Sequence, residues 1–243
     1  MGSLLLTGGD QRRLTETLLH CAEATPVLHA IVSAYEQGTP LVAVAAAASA
    51  LADRMIAEGD SDAALRYGAS EDAGFSGVVI ERGIGLNTFG LIDQNFLSRR
   101  RLGRLLVACA EEGSSYGFGL CEESGLVISG GERRVRAIGR NGVVVAALDL
   151  PRVRLQPPDF SAAGISLSLI EPGGAFHLDT IAADAVDHSG AGLALLERAV
   201  EDLVHDYNAN LAPGHSQVDG GDVRIALLES YLDSASTGNS RPH

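Results

Sequence analysis

The sequence predicts an α/β fold, and three observations carry that prediction. The run PLVAVA at 40–45 is continuously apolar, as a strand buried on both faces of a parallel sheet should be. It passes directly into AAASALADRMIA, a strong helix former. The second half carries short apolar runs separated by glycines, which read as strands joined by turns.

Taken in order, SLLL at 3–6 predicts a short strand and TGGD a glycine turn. Residues 11–37 predict helix, with Leu14, Leu18, Leu19, Val27, Leu28 and Ile31 at mixed three- and four-residue spacing and a break near Pro26. After the 40–45 strand and its helix, the Gly-, Ser- and Asp-rich stretch 58–77 reads as a loop, and 78–81 and 84–92 as strands. SRRRLGRLLVACAEE reads as an amphipathic helix running from a basic to an acidic end. YGFGLCEES, GLVISG, RRVRAIG and GVVVAAL follow as short strands, then 165–170 and 176–180 after a PPDF break. Residues 190–209 predict a helix, and the end from Ser234 a frayed tail. The reading divides the chain into an α/β unit over 1–180 and a helical extension of it over 181–243.

Composition narrows the function. Hydrophobic residues make up 46% and charged ones 20%, so the chain can build a core. All 18 basic residues are arginine, which removes Schiff-base and P-loop lysine chemistry. A formal net charge of −13 repels nucleic acid and anionic membranes, and no apolar run is long enough to span a bilayer. Cys21, Cys109 and Cys121 are scattered and odd in number, so neither a disulfide frame nor a zinc site is expected, and a reducing cytoplasm is the expected compartment. No cofactor is expected: GIG and GFG lack the GxGxxG order and its following helix. His177 and His205 read as ordinary surface or core residues.

Five segments carry chemistry: TGGDQ at 7–11, the strand–helix segment ending in Met55-Ile56, GIGLNTFGLIDQNFLSRRRLGRLL at 83–106, GFGLCEES at 117–124 and EPGGAFHLD at 171–179. Together they resemble the cyanophycinase family of serine exopeptidases, peptidase family S51. That resemblance covers about residues 3–180 and implies a parallel sheet flanked by helices, like class I amidotransferases and flavodoxins, with added β-hairpins. It also implies that further β/α units precede the TGGDQ strand. Without them the chain is expected to be N-terminally truncated relative to the family and to bare an apolar sheet edge.

The departures from the family motifs are concentrated on the catalytic positions. Its Gly-Thr-Ser-Ala-Gly-Ala elbow aligns so that the serine falls on Ala45, and Ser49 lies about a helical turn beyond. Its Asp-Gln-His-Phe string reads Asp93-Gln94-Asn95-Phe96 here, so the histidine base becomes Asn95, and its Asp-Glu pair becomes Cys121-Glu122. Only Glu122 survives of the triad. Alanine has no lone pair to attack a carbonyl, and an amide accepts no proton near neutral pH. Loss of a serine nucleophile alone costs about 10⁶ in turnover in a serine protease.

The resemblance assigns substrate contacts to Gly9, Asp10, Gln11, Asp93, Gln94, Arg99, Arg101 and Arg104, with Gly8 completing the glycine turn. On spacing alone Arg99–Arg104 is equally the solvated start of a helix. The expected function is a catalytically inactive homologue that binds an acidic peptide or aspartate–arginine ligand. It would act as a subunit of a homo- or hetero-oligomer with another cyanophycinase-like chain. The alternative is an active hydrolase or transferase on acidic peptides or amides that uses Glu122 with Cys121, or a site completed by a partner.

Overall fold

The computed structural model describes residues 2–177 apart from 22, 88, 130–133, 157–158 and 163, and then residues 194, 198–203 and 205. The chain begins with β1 (Leu4–Leu6) and α1 (Gln11–Leu18). Asp10 caps α1 by accepting from the Arg12 N–H at 2.9 Å, so the TGGD turn ends in a helix start. A small hairpin, β2 (Leu19–His20) and β3 (Glu23–Ala24), fills the predicted helix break. Pro26 opens α2 (Pro26–Glu36) at its first turn, where its missing N–H is harmless. Next come β4 (Leu41–Ala43), parallel to β1, then α3 (Ala46–Ala50), β5 (Arg54–Glu58), α4 (Ser61–Tyr67) and β6 (Ala69–Ser70). β7 (Val78–Arg82), β8 (Leu91–Gln94), α5 (Leu102–Glu111) and β9 (Tyr116–Leu120) follow. The remaining strands are β10 (Ser124–Ser129), β11 (Arg134–Gly139), β12 (Val143–Leu148), β13 (Val153–Gln156), β14 (Asp159–Ala162), β15 (Ile165–Ile170) and β16 (Ala175–His177).

The central sheet has the order β15-β12-β9-β8, with β8 and β9 parallel and the other neighbours antiparallel. Strand alternation sends Val144, Ala146 and Leu148 to one face, where α5 covers them with Leu105 and Leu106. Val143 and Val145 point to the other face with Phe118 and Ile170. There they meet Val135, Ala137 and Phe176 from the antiparallel sheet β10-β11-β16. The α/β class is borne out. Parallel pairing occurs at β1–β4, β6–β7 and β8–β9, and the hairpins lie alongside it.

Three local expectations are corrected. The helix expected through Ile56 ends at Ala50, and residues 54–58 form β5, antiparallel to β7. There Met55 and Ile56, 0% and 2% exposed, enter the core, so tertiary burial overrides helix propensity. The expected loop 58–77 contains α4, capped by Asp60 accepting from the Ala63 N–H at 2.8 Å and anchored by buried Ala64 and Leu65. Of the strand expected over 84–92 only Leu91 and Ile92 lie in one, β8, and α5 starts at Leu102 because Phe96–Arg100 form a turn before it and Arg101 is its N-cap.

The helix expected over 190–209 is helical at 198–203, and Ala199, Val200 and Leu203 are buried there in the core under α5. The predicted tail from Ser234 lies outside the described residues.

Candidate functional site

Ala45 sits at the turn between β4 and α3 with φ +54° and ψ −122°. A sharp strand-to-helix bend of this kind exposes the nucleophile in serine hydrolases, and the residue at its apex here is an alanine. Such a backbone costs a non-glycine residue roughly 1–3 kcal/mol. Gly8 lies against the bend: a Cβ there would stand 2.9 Å from the Ala45 Cβ and 3.1 Å from the Val44 carbonyl oxygen. The TGGDQ turn and the elbow are therefore in contact. Among the described residues, the Gly8 and Gly9 N–H groups enter no backbone hydrogen bond.

Asn95 and Glu122, the other two positions that the resemblance assigns to the triad, follow the parallel pair β8–β9. Gln94 is in register with Leu120, and the Phe96 N–H donates to the Leu120 carbonyl at 3.1 Å. Asn95 and Cys121-Glu122 thus leave adjacent strand ends. Asn95 has φ +50°, a conformation asparagine tolerates. Ser49, 1% exposed on α3, donates to Gln94 Oε1 and ties the elbow helix to the end of β8. The Ser49–Gln94 bond therefore ties the helix that follows Ala45 to the end of β8, beside the end of β9. Glu122 accepts from the Ser98 hydroxyl, and the Asn141 side chain donates to the Glu122 carbonyl at 2.7 Å. Sequence reading missed Ser98, although its place three residues after Asn95 puts it on the same turn.

The polar cluster that sequence reading assigned to ligand is engaged internally. Asp93, 1% exposed, receives a two-pronged contact from Arg104: Nε to Oδ2 at 2.7 Å and Nη2 to Oδ1 at 2.6 Å. Arg104 Nη1 also donates to the Gly59 carbonyl at 2.6 Å. Arg101 Nη1 reaches Asp93 Oδ1 at 3.1 Å and the Gln94 carbonyl at 2.5 Å. Burial, and then the neighbouring Arg104 and Arg99, lower the Arg101 pKa against the opposing pull of Asp93. A buried carboxylate holding two guanidiniums fixes the turn before α5, because removing one partner strands a charge in the core.

Gln11 donates from Nε2 to the Ile56 carbonyl at 3.1 Å, binding α1 to β5, and Asp10 is occupied by its cap. Gly9 and Arg99 are exposed. The structure therefore brings Asp93, Gln94, Arg101 and Arg104 together, and places Gln11 on the backbone of β5.

Cys121 is a buried thiol. It is 4% exposed, and burial first, then the charge of Glu122, push its thiol up to about 11 against a hydrogen bond from the Leu97 backbone. Burial pushes the Cys109 thiol up as well. Among the described residues, no group of three or more His, Cys, Asp or Glu side chains gathers to hold a metal ion. Among them too, no helix is long and apolar enough to cross a membrane.

This arrangement of glycine turn, elbow and strand ends can be set beside known proteins. Over 182 residues the chain is 30% identical to a cyanophycinase of Trichormus variabilis, a match covering 72% of this chain and 56% of that protein. A cyanophycinase of Synechococcus elongatus is 29% identical over 143 residues, covering 58% of this chain and 40% of that protein. The sequence is similar to cyanophycinases. The chain spans about half the length of these cyanophycinases. No protein-family model matches it. The solved structure of a peptidase from an acI-B1 actinobacterium is 18% identical with a TM-score of 0.42, over 65% of this chain and 58% of that one.

Proposed function

We propose that the chain is a cyanophycinase-like member of a peptidase family that binds acidic peptides without hydrolysing them and serves as a subunit of an oligomer. One observation carries the reading: the nucleophile elbow keeps its strained backbone at Ala45 while its apex offers no oxygen or sulfur. Hydrolysis through an acyl-enzyme needs an attacking group at that apex and a base beside it. Here the base position is Asn95, whose amide cannot take a proton.

Glu122 remains as an acid held by Ser98, and a carboxylate without an imidazole between it and a nucleophile orients nothing. A substitute thiol at Cys121 is disfavoured by its burial and raised pKa. The partner would be another cyanophycinase-like chain, and the ligand an acidic or aspartate–arginine peptide. The test is turnover of aspartate–arginine polymer and of β-aspartyl dipeptides by the purified protein. No release of dipeptide or free amino acid is expected, and saturable turnover lost in Glu122→Ala would overturn the reading.

A further inference from the structure

We propose that the cleft between the 97–102 turn and the helical segment 198–203 binds a small carboxylate ligand, an acidic amino acid or the acidic end of a peptide, through Arg198. The inference deepens the binding role proposed above, from which it takes its ligand class, and locates that role away from the elbow.

The cleft has a volume of about 480 Å³ and is lined by Leu97, Ser98, Arg100, Arg101, Leu102, Arg198, Ala199 and Asp202. That is ample for an amino acid or a dipeptide. Of the three arginines that line it, Arg100 is paired with Asp202 and Arg101 with Asp93, which leaves Arg198, among the described residues, as the cation without a carboxylate, in a chain whose formal net charge is −13. A local excess of positive charge in so acidic a protein calls for an anion.

The three arginines are not equivalent. Arg100 is held by Asp202, with Nε 3.2 Å from Oδ1 and Nη2 donating to the Asp202 carbonyl at 3.2 Å. Arg101 is drawn inward to Asp93 and the Gln94 carbonyl. Arg198 is exposed and, among the described residues, has neither an ion pair nor a hydrogen bond. Its whole fork is available to a carboxylate, which it can grip through two parallel bonds.

The placement follows from packing. Ala199, Val200 and Leu203 are buried against α5, and Gly103 admits that approach: a Cβ there would meet Leu203 Cδ1 at 3.1 Å and Ser61 Cβ at 3.0 Å. Burying that stripe leaves Arg198 and Asp202 at the cleft. Leu97, Leu102 and Ala199 supply apolar wall for the methylene carbons of an aspartyl group, a contact that a bare inorganic anion cannot use. Ser98 lines the cleft while donating to Glu122, so the site adjoins the old catalytic positions without using them.

The test is calorimetric titration of the full chain with N-acetyl-L-aspartate at low salt. Saturable binding, in the range of about 10 μM to 1 mM, is expected. Arg198→Ala should weaken it about tenfold or more, and Arg198→Lys should restore part of the loss. Asp202→Asn should tighten it, because a competing carboxylate is removed from Arg100. Arg140→Ala, which removes an exposed arginine outside the cleft, should leave it unchanged. Absence of binding, or binding indifferent to Arg198→Ala, would overturn the site. Binding abolished by Glu122→Ala would also overturn it, moving the ligand to the old catalytic positions while leaving the non-hydrolysing reading intact. Inorganic phosphate binding as tightly as N-acetyl-L-aspartate would overturn the assignment to carboxylates. Polymer turnover, measured separately, bears only on the non-hydrolysing reading.

Discussion

At Ala45 the backbone is bent as a nucleophile requires, although the residue there can do no nucleophilic chemistry. The bend is held by Gly8 on one side and by the Ser49–Gln94 hydrogen bond one turn along α3. An alanine pays for φ +54° with steric strain that glycine avoids. Ala45→Gly is therefore expected to raise the stability of the chain by about 1 kcal/mol, the relief of strain exceeding the entropy glycine adds to the unfolded state. Urea unfolding would show it as a higher midpoint at unchanged slope, and a lower midpoint would mean that the bend is relaxed for alanine.

The family resemblance singles out residues 45, 95 and 122, and the structure sets Ala45 in a bent turn and Asn95 and Glu122 just beyond the ends of adjacent strands. The partners of Asp93 and Gln11 were not legible in the sequence, because a motif names residues without saying which of them face each other. Arg101 and Arg104 are long enough to reach inward, and the buried Asp93 carboxylate draws them there.

Among the elements, β9 to β12, β15 and the break at Pro26 could be read from glycine punctuation and apolar runs, whereas β13 and β14 were missed, β14 starting within the expected PPDF break. The 46–77 region could not be read in that way. An alanine-rich stretch scores as helix over its whole length, but β5 forms because β7 offers it an antiparallel partner and the core accepts Met55 and Ile56. α4 hides in a Gly- and Asp-rich segment whose Asp60 is in fact a cap.

The GFG string of β9, too weak to signal a nucleotide site, has a packing reason. A Cβ on Gly117 would stand 2.7 Å from Cys109 Sγ, and one on Gly119 only 2.3 Å from the Phe96 ring. Phe96 is 0% exposed and follows Asn95, so its ring anchors the turn at the end of β8. Gly119→Ala should destabilise the chain by about 1–3 kcal/mol through overpacking. Thermal unfolding would measure the loss, and an unchanged midpoint would show that Phe96 can move aside.

At the scale of the whole molecule, exposed large apolar side chains cluster, among the described residues, where β1 and β4 pair. Leu5 and Val42 are partners in register, 62% and 50% exposed, with Val44 at 49% just beyond. Parallel strands are ordinarily covered on both faces. The subunit role proposed above puts a second chain over this face. Light scattering at micromolar concentration should report a dimer or larger species burying more than about 1,200 Å², and Leu5→Glu with Val42→Glu should dissociate it. A well-folded monomer would contradict the subunit role.

Loss of the nucleophile is the central claim, and turnover measures it most directly. Purified chain incubated with aspartate–arginine polymer should release no dipeptide above the uncatalysed background. Ala45→Ser alone should do no better, because Asn95 leaves the new hydroxyl without a base; only Ala45→Ser with Asn95→His is expected to recover a trace. Saturable hydrolysis by the unaltered chain, abolished in Glu122→Ala, would contradict it.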